Sequence, residues 1–264
     1  MSSLPPRRRI WLTGATSGIG LALARRLLEQ GHRVALSARR ETELADLAAG
    51  YDNALTLPLD ITDHDAVQAA GRRLDAVFGA LDLVILNAGT CEYLDARHFD
   101  TALIERVFTT NLFGTLYGVE AALPLLRRAR AEGGHPLLAA TSSAAAYLPL
   151  PRAEAYGASK AALSHFLESL RLDLHREGIG VSIIHPGFVA TPLTDRNDFP
   201  MPMRVNVETA ADAILRGLDA RRLDVHFPRR FTLLLKLLGR LPSRLRYRLG
   251  LRLTRDDDTG EQHP

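Results

Sequence analysis

Arg9-Ile10-Trp11-Leu12-Thr13-Gly14-Ala15-Thr16-Ser17-Gly18-Ile19-Gly20-Leu21-Ala22-Leu23-Ala24-Arg25-Arg26-Leu27-Leu28 reads as a short apolar strand, a glycine-rich turn and a helix, which Gly31 closes. Glycines in such a turn let backbone amides approach an anion closely, with the helix N-terminus aimed at it. The spacing is T-G-x-x-x-G-x-G, not the G-x-G-x-x-G of the commoner phosphate-binding turn. Outward from this unit the alternation continues. Arg33–Ala38, Ala54–Pro58, Asp82–Leu86, Leu137–Thr141, Val181–Ile184 and Leu223–Phe227 read as further strands, separated by helical or irregular stretches. The pattern predicts an α/β fold: a single doubly wound, Rossmann-type domain with a parallel sheet of about seven strands. Thr62 with Asp65 reads as an N-cap pair opening a helix through about Phe78.

The bulk properties agree with one soluble domain. The chain has 264 residues, 46% of them hydrophobic and 24% charged, and no stretch approaching the roughly 20 apolar residues of a membrane span. The N-terminus lacks an apolar signal core, which points to the cytoplasm. Cys91 is the only cysteine, so internal disulfides are excluded, and the scattered histidines suggest no metal site. The net charge of +3 is concentrated at one end: Arg229 to Arg255 holds nine basic residues and no acid. The chain is therefore divided into residues 1–228, which hold the α/β domain, and 229–264, a basic, leucine-rich extension with a polar end.

Polar residues recur where strands end. Arg39 follows Ala38 at the end of the second strand, where an acid selects NAD and an arginine suits the 2′-phosphate of NADP. Asp60 follows the third strand, Asn87-Ala88-Gly89 the fourth, Ser142-Ser143 the fifth and His185-Pro186-Gly187 the sixth. Asn111 interrupts the helical pattern of residues 101–131, at a cost to the helix. Tyr156 and Lys160 stand one helical turn apart on one face. A phenol has a pKa of about 10, and a neighbouring ammonium is expected to pull it toward the working pH. Lys160 and Lys236 are the only lysines in a chain otherwise basic through arginine, which suggests that a compact point charge is needed at position 160.

Taken in order, Thr13-Gly14 through Gly20, Asp60, Asn87-Ala88-Gly89, Asn111, Ser143, Tyr156-x-x-x-Lys160 and Pro186-Gly187 with Thr191 resemble the short-chain dehydrogenase/reductase family over residues 8–228. The resemblance implies a nicotinamide-dependent oxidoreductase that reduces a carbonyl or oxidises an alcohol, with NADPH favoured by Arg39 over NADH. It implies Tyr156 as general acid, Ser143 as holder of the carbonyl oxygen, and Lys160 as the charge that tunes the tyrosine and grips the ribose. Asn111 would hold a water linking Lys160 to solvent. Gly14, Thr16, Ser17, Gly18, Ile19 and Gly20 would cradle phosphates, and Asp60 and Ile61 would meet adenine. Asn87, Ala88 and Gly89 would back the cofactor, and Pro186, Gly187, Val189 and Thr191 would bind its nicotinamide end. Family tetramers often pack around the last strand, so the extension could leave a homodimer instead of a homotetramer. A sensor or scaffold that kept the fold without turnover is the alternative reading, and an intact catalytic set argues against it.

Two segments depart from the pattern. Ala144 to Glu154 lacks the usual glycine after Ser143 and, with a flap from Thr191 to Asn206 and the extension, is expected to set a pocket suited to a small, apolar carbonyl or alcohol. Arg229 to Arg255 interleaves leucines with arginines, consistent with packing on the domain or with lying on an anionic membrane. It lacks the aromatic platforms of a nucleic-acid binder.

Overall fold

A computed structural model describes residues 7–196 and 201–251. Seven strands, β1 (Arg9–Thr13), β2 (Arg33–Ala38), β3 (Ala54–Pro58), β4 (Leu83–Leu86), β5 (Leu137–Thr141), β6 (Gly180–Pro186) and β7 (Asp224–Phe227), form one sheet. Every pairing is parallel and the order is β3-β2-β1-β4-β5-β6-β7. The helices are α1 (Gly18–Glu29), α2 (Glu41–Ala48), α3 (His64–Phe78), α4 (Thr101–Phe108), α5 (Gly114–Ala131), α6 (Glu154–Arg176), α7 (Val207–Asp219), α8 (Arg229–Gly239) and α9 (Ser243–Leu251).

Strand residues alternate between the two faces of the sheet, and each face carries its own core. Trp11, Ala35, Val84, Leu138 and Ile183 pack against Val67 and Leu74 of α3, Leu125 and Leu126 of α5, and Leu163 and Leu167 of α6. Ile10, Leu12, Val34, Leu36 and Ile85 pack against Leu23 and Leu27 of α1 and Ile214 and Leu218 of α7. Trp11 is fully buried, and its indole Nε1–H donates to Ser37 Oγ at 3.0 Å, so the one polar atom of the largest core side chain is satisfied.

Arg9 fixes the entry to the sheet, because its guanidinium and backbone amide both bond Asp82, just before β4. The cap of α3 differs from the Thr62/Asp65 expectation. Asp63 is the cap and accepts from the Ala66 amide at 3.0 Å, while Thr62 donates its amide and hydroxyl to Asp60. A carboxylate at position 63 reaches the free amides of the first turn, and Asp60 claims Thr62 for the preceding loop. The helical pattern of residues 101–131 is α4, one π-helical stretch at Thr109–Phe113, and α5. The interruption predicted around Asn111 is thus a local widening of the helix.

The Thr191–Asn206 flap is closed at its base, where Ala190 N–H donates to Val205 O and Val205 N–H to Phe188 O. The flap residues Asn197 to Pro200 and the extension beyond Leu251 lie outside the described residues. No helix among the described residues is long and apolar enough to cross a membrane.

Trp11→Ala should lower the unfolding free energy by about 3–5 kcal/mol, read from urea titrations, because it empties the centre of one core. Leu172→Ala, at a side chain that is 73% exposed, should stay within about 0.5 kcal/mol of the parent.

Candidate active site

The order of strands reverses between β1 and β4, and a cleft opens there, beyond the carboxyl ends of the strands. Its volume is about 1080 Å3, at the upper end for a small-molecule or cofactor site. Its floor is built by side chains that lock neighbouring strand ends together. The Thr13 hydroxyl accepts the Asn87 and Ala88 amides at 3.0 and 3.2 Å. Thr141 Oγ1 donates to Asn87 Oδ1 at 3.2 Å, and Lys160 Nζ donates to the Thr141 carbonyl at 2.8 Å. The ends of β1, β4 and β5 and the helix α6 are thereby joined in one polar chain.

Every residue proposed above from the sequence lines this cavity except Gly20 and Asn111. Gly20 lies beneath the turn, where a Cβ would overlap the Gly14 carbonyl oxygen and stand 2.7 Å from Asn87 Nδ2. Its role is to let α1 start close under the turn. Asn111 is fully buried in the π-helical stretch. Its Oδ1 accepts the Thr90 amide at 2.8 Å, and its Nδ2 donates to Thr90 O at 2.9 Å and Ser159 Oγ at 3.1 Å. The Asn111 amide thus fastens the loop after β4 to α6. A Cβ on Gly89 would stand 3.0 Å from Asn111 Oδ1 and 3.2 Å from Lys160 Nζ, so glycine lets this loop lie flat over both groups.

Ser143, Tyr156 and Lys160 share one wall. Ser143 hydrogen-bonds the Tyr156 side chain and accepts the Ala145 amide at 3.1 Å. Burial pushes the Tyr156 phenol above its usual range, with nearby Cys91 adding to the rise and the Ser143 bond opposing it. The ammonium of Lys160 does not reverse this, contrary to the expectation from its spacing. Burial in turn lowers Lys160 to about 8. Cys91, half-buried beside both residues, has its thiol pushed up by burial.

At the far end of the cleft, Arg39 is exposed and makes no hydrogen bond or ion pair among the described residues. Arg40, which the sequence reading passed over, donates to Thr16 O at 3.1 Å and Thr16 Oγ1 at 3.0 Å and pairs with Glu43. The signal for it was its adjacency to Arg39. Thr90, Glu92, Arg106 and Leu193 also line the cavity; no spacing marked them. The Ala144–Pro151 segment does not line it. Tyr147, Leu148 and Leu150 turn to Phe231, Leu235 and Leu238 of α8, because the extension offers them apolar partners.

A second polar cluster lies beneath the wall. Lys160 O accepts from Ser142 and Ser164, both at 2.9 Å, and Ser164 Oγ lies 3.1 Å from His185 Nε2. His185 Nδ1 is 2.9 Å from Asp224 Oδ1, and Lys236 bonds the other oxygen of Asp224. Burial raises the Asp224 carboxyl, but the bonds from His185 and Lys236 outweigh it and hold the group below the usual carboxylate range.

The residues fit a nicotinamide dinucleotide. The N-terminal amides of α1 have no side-chain cap, since Ser17 makes no capping bond, so they are free to meet phosphate. Gly18 holds a positive φ of 51°, and a Cβ there would stand 3.0 Å from Thr191, so the turn and the flap base are close on either side of the groove.

A family profile described as short chain dehydrogenase matches residues 8–199. The chain belongs to the short-chain dehydrogenase family. This is a family of oxidoreductases that use a nicotinamide dinucleotide. An uncharacterized oxidoreductase of Myxococcus xanthus is 37% identical over 244 residues, covering 90% of this chain and 94% of its own. A short-chain dehydrogenase of Burkholderia cenocepacia, solved in complex with NADP, superposes with a TM-score of 0.79 at 26% identity, over 94% of this chain and 97% of that one. A 3-ketoacyl-(acyl-carrier-protein) reductase of Brucella melitensis, solved with NADH, shares the fold with a TM-score of 0.77 at 24% identity, over 86% of this chain and 99% of that one.

Lys160 makes stability depend on pH. Its folded value of about 8 lies below its ordinary 10.5, so the fold favours the neutral amine. Its contribution is flat and unfavourable below about 8 and is relieved as pH rises toward 10.5. Lys160→Met should therefore be more stable than the parent near neutrality, by of order 2 kcal/mol. Urea titrations across this range should show the gap narrowing as pH rises; a constant gap would contradict the assignment.

Proposed function

We propose that this short-chain dehydrogenase interconverts a carbonyl compound and an alcohol with NADP(H), and that Asn111, Ser143, Tyr156 and Lys160 form its catalytic set. The observation that carries the proposal is the Ser143–Tyr156–Lys160 wall at one end of a cleft whose other end presents Arg39 and no carboxylate at Ala38. When bound, the nicotinamide supplies or accepts the hydride. In the reducing direction a neutral Tyr156 phenol gives its proton to the substrate oxygen, and its raised pKa keeps it protonated at neutral pH. Ser143 donates to the same oxygen and fixes its position. Lys160, charged below about 8, offsets the negative charge left on the tyrosine oxygen and supplies donors for ribose hydroxyls. Asn111 fastens the Thr90 backbone beside the cleft through its side-chain amide, and the water-holding role implied by the family resemblance would be served from the same position.

Selection of NADP over NAD rests on Arg39. An unpaired guanidinium at the adenosine end suits a 2′-phosphate, and Arg40 beside it raises the local positive charge. Pro186, Val189, Pro192 and Leu193 make one side of the cleft apolar, which supports an apolar carbonyl compound or alcohol as substrate. The protein is proposed to act in the cytoplasm, as a homo-oligomer.

Tyr156→Phe should bind NADPH as the parent does, by fluorescence titration, yet lose about 10²–10⁴-fold in kcat on a ketone and aldehyde panel. Full turnover by the variant would exclude Tyr156 as the acid. Arg39→Ala should weaken NADPH by about tenfold, as expected for loss of a charge-assisted contact worth about 1.4 kcal/mol, and leave NADH nearly unchanged. Equal effects on both cofactors, or tighter NADH than NADPH binding by the parent, would overturn the preference.

A further inference from the structure

The extension settles on the domain with only one of its faces. On α8, Thr232 and Leu235 are buried, and Phe231 and Leu238 lie against Tyr147, Leu148 and Leu150. The Phe231 ring also stands 5.3 Å from that of Phe188, and Lys236 is held by Asp224. The opposite side of the same helix carries Leu233, Leu234 and Leu237, which are 49%, 49% and 63% exposed. Their spacing, i, i+1 and i+4, puts them on one stripe. Next comes α9, which buries no residue, and Leu245, Tyr247 and Leu251 are at least half as exposed as a free side chain or close to it.

Basic residues border these apolar groups. Arg229, Arg230, Arg240, Arg244 and Arg248 make no ion pair among the described residues, and Arg246 donates to the Gly239 carbonyl. No acidic residue occurs between Arg229 and Leu251. An apolar stripe bordered by arginines, with no acid on its own helices, is costly to leave in water, and its charge specifies what can cover it. A second copy meeting it face to face would bring arginine against arginine with no acid to offset them. A base-stacking partner would find Tyr247 as the only aromatic ring on α9 and none among the exposed residues of α8. A surface of anionic headgroups over acyl chain satisfies both chemistries at once: leucines enter the acyl boundary and guanidinium groups reach the headgroups. Each basic side chain near such a surface adds to the attraction.

We propose that the outward face of α8, together with α9, docks this protein peripherally on an anionic lipid bilayer. The helices lie on the membrane and do not cross it, in keeping with their lengths of 11 and 9 residues. This surface is separate from the cleft, and the proposal stands independently of the reaction assigned above.

The test is flotation of the full chain with phosphatidylcholine vesicles prepared with and without phosphatidylglycerol. The protein should float with the anionic vesicles and not with the neutral ones, and added salt should reduce the bound fraction. The double variant Leu233→Asp with Leu237→Asp, and separately Arg244→Glu with Arg248→Glu, should each reduce binding by about tenfold or more. Both sets of positions are exposed, and unchanged melting by circular dichroism will show that the variants fold. No flotation with anionic vesicles, equal flotation with neutral ones, or full binding by either double variant overturns the proposal. So does a fall from dimer to monomer in the leucine variant during gel filtration without vesicles, which would assign the face to a second copy. Retention on immobilised polyglutamate without vesicle binding overturns it too, in favour of an acidic protein.

Discussion

The burial of the Lys160 ammonium is the constraint on which the site depends. Only 3% of this residue is exposed, and an ammonium removed from water needs acceptors arranged around it. Its Nζ bonds the Thr141 carbonyl at the end of β5, and Thr141 in turn bonds Asn87 at the end of β4. The carbonyl of the same residue accepts two serine hydroxyls, from Ser142 and Ser164. A Cβ at Gly89 would press on Nζ and on Asn111 Oδ1, each of which would have to give way slightly. The strand ends, the π-helical stretch and α6 are thus held in one arrangement by the need to accommodate one positive charge. That arrangement also sets Tyr156 and Ser143 beside the cleft.

Burial acts on the tyrosine and the lysine in opposite directions, and the balance has chemical meaning. Desolvation disfavours whichever form is charged, so the phenol rises and the ammonium falls. A phenol raised in this way stays protonated at neutral pH but is a weaker acid than a free one, so the Ser143 bond, which opposes the rise, is what favours delivery of its proton. Helical spacing of Tyr156 and Lys160 alone suggested the reverse for tyrosine, because spacing reports proximity and is silent about the dielectric around the pair.

The same distinction explains how much could be read beforehand. The strand–turn–helix unit, the parallel alternation and the polar residues at strand ends were legible, because a buried parallel strand is nearly all apolar and its polar terminus stands out. Asn111 was legible as an oddity in a helix, although its partners Thr90 and Ser159 were not, since those contacts cross 21 and 48 residues of sequence. Gly20 reads as a phosphate contact, and the structure packs it under the turn against the Gly14 carbonyl, because glycine spacing cannot separate close approach to a ligand from close approach to the chain. The substrate wall was misplaced for a similar reason: Tyr147, Leu148 and Leu150 are apolar, but whether they face the cleft or α8 depends on where the extension lies.

The two lysines make the last connection. Lys236 lies half-buried with Nζ on the Asp224 carboxylate and 4.9 Å from the centre of the Tyr147 ring, in a space bounded by α8, β7 and the Ser143 loop. Asp224 reaches His185, His185 reaches Ser164, and Ser164 reaches the Lys160 carbonyl. In a chain that uses arginine everywhere else, both lysines occupy pockets with a single dominant acceptor, where a point charge fits and a planar fork would leave donors unpaired. The polar path between them passes under the Tyr156 wall, so the position of α8 and the geometry of α6 are set by one continuous set of bonds. The extension is therefore coupled structurally to the cleft through its packed face, while its leucine-bearing face remains available for a partner.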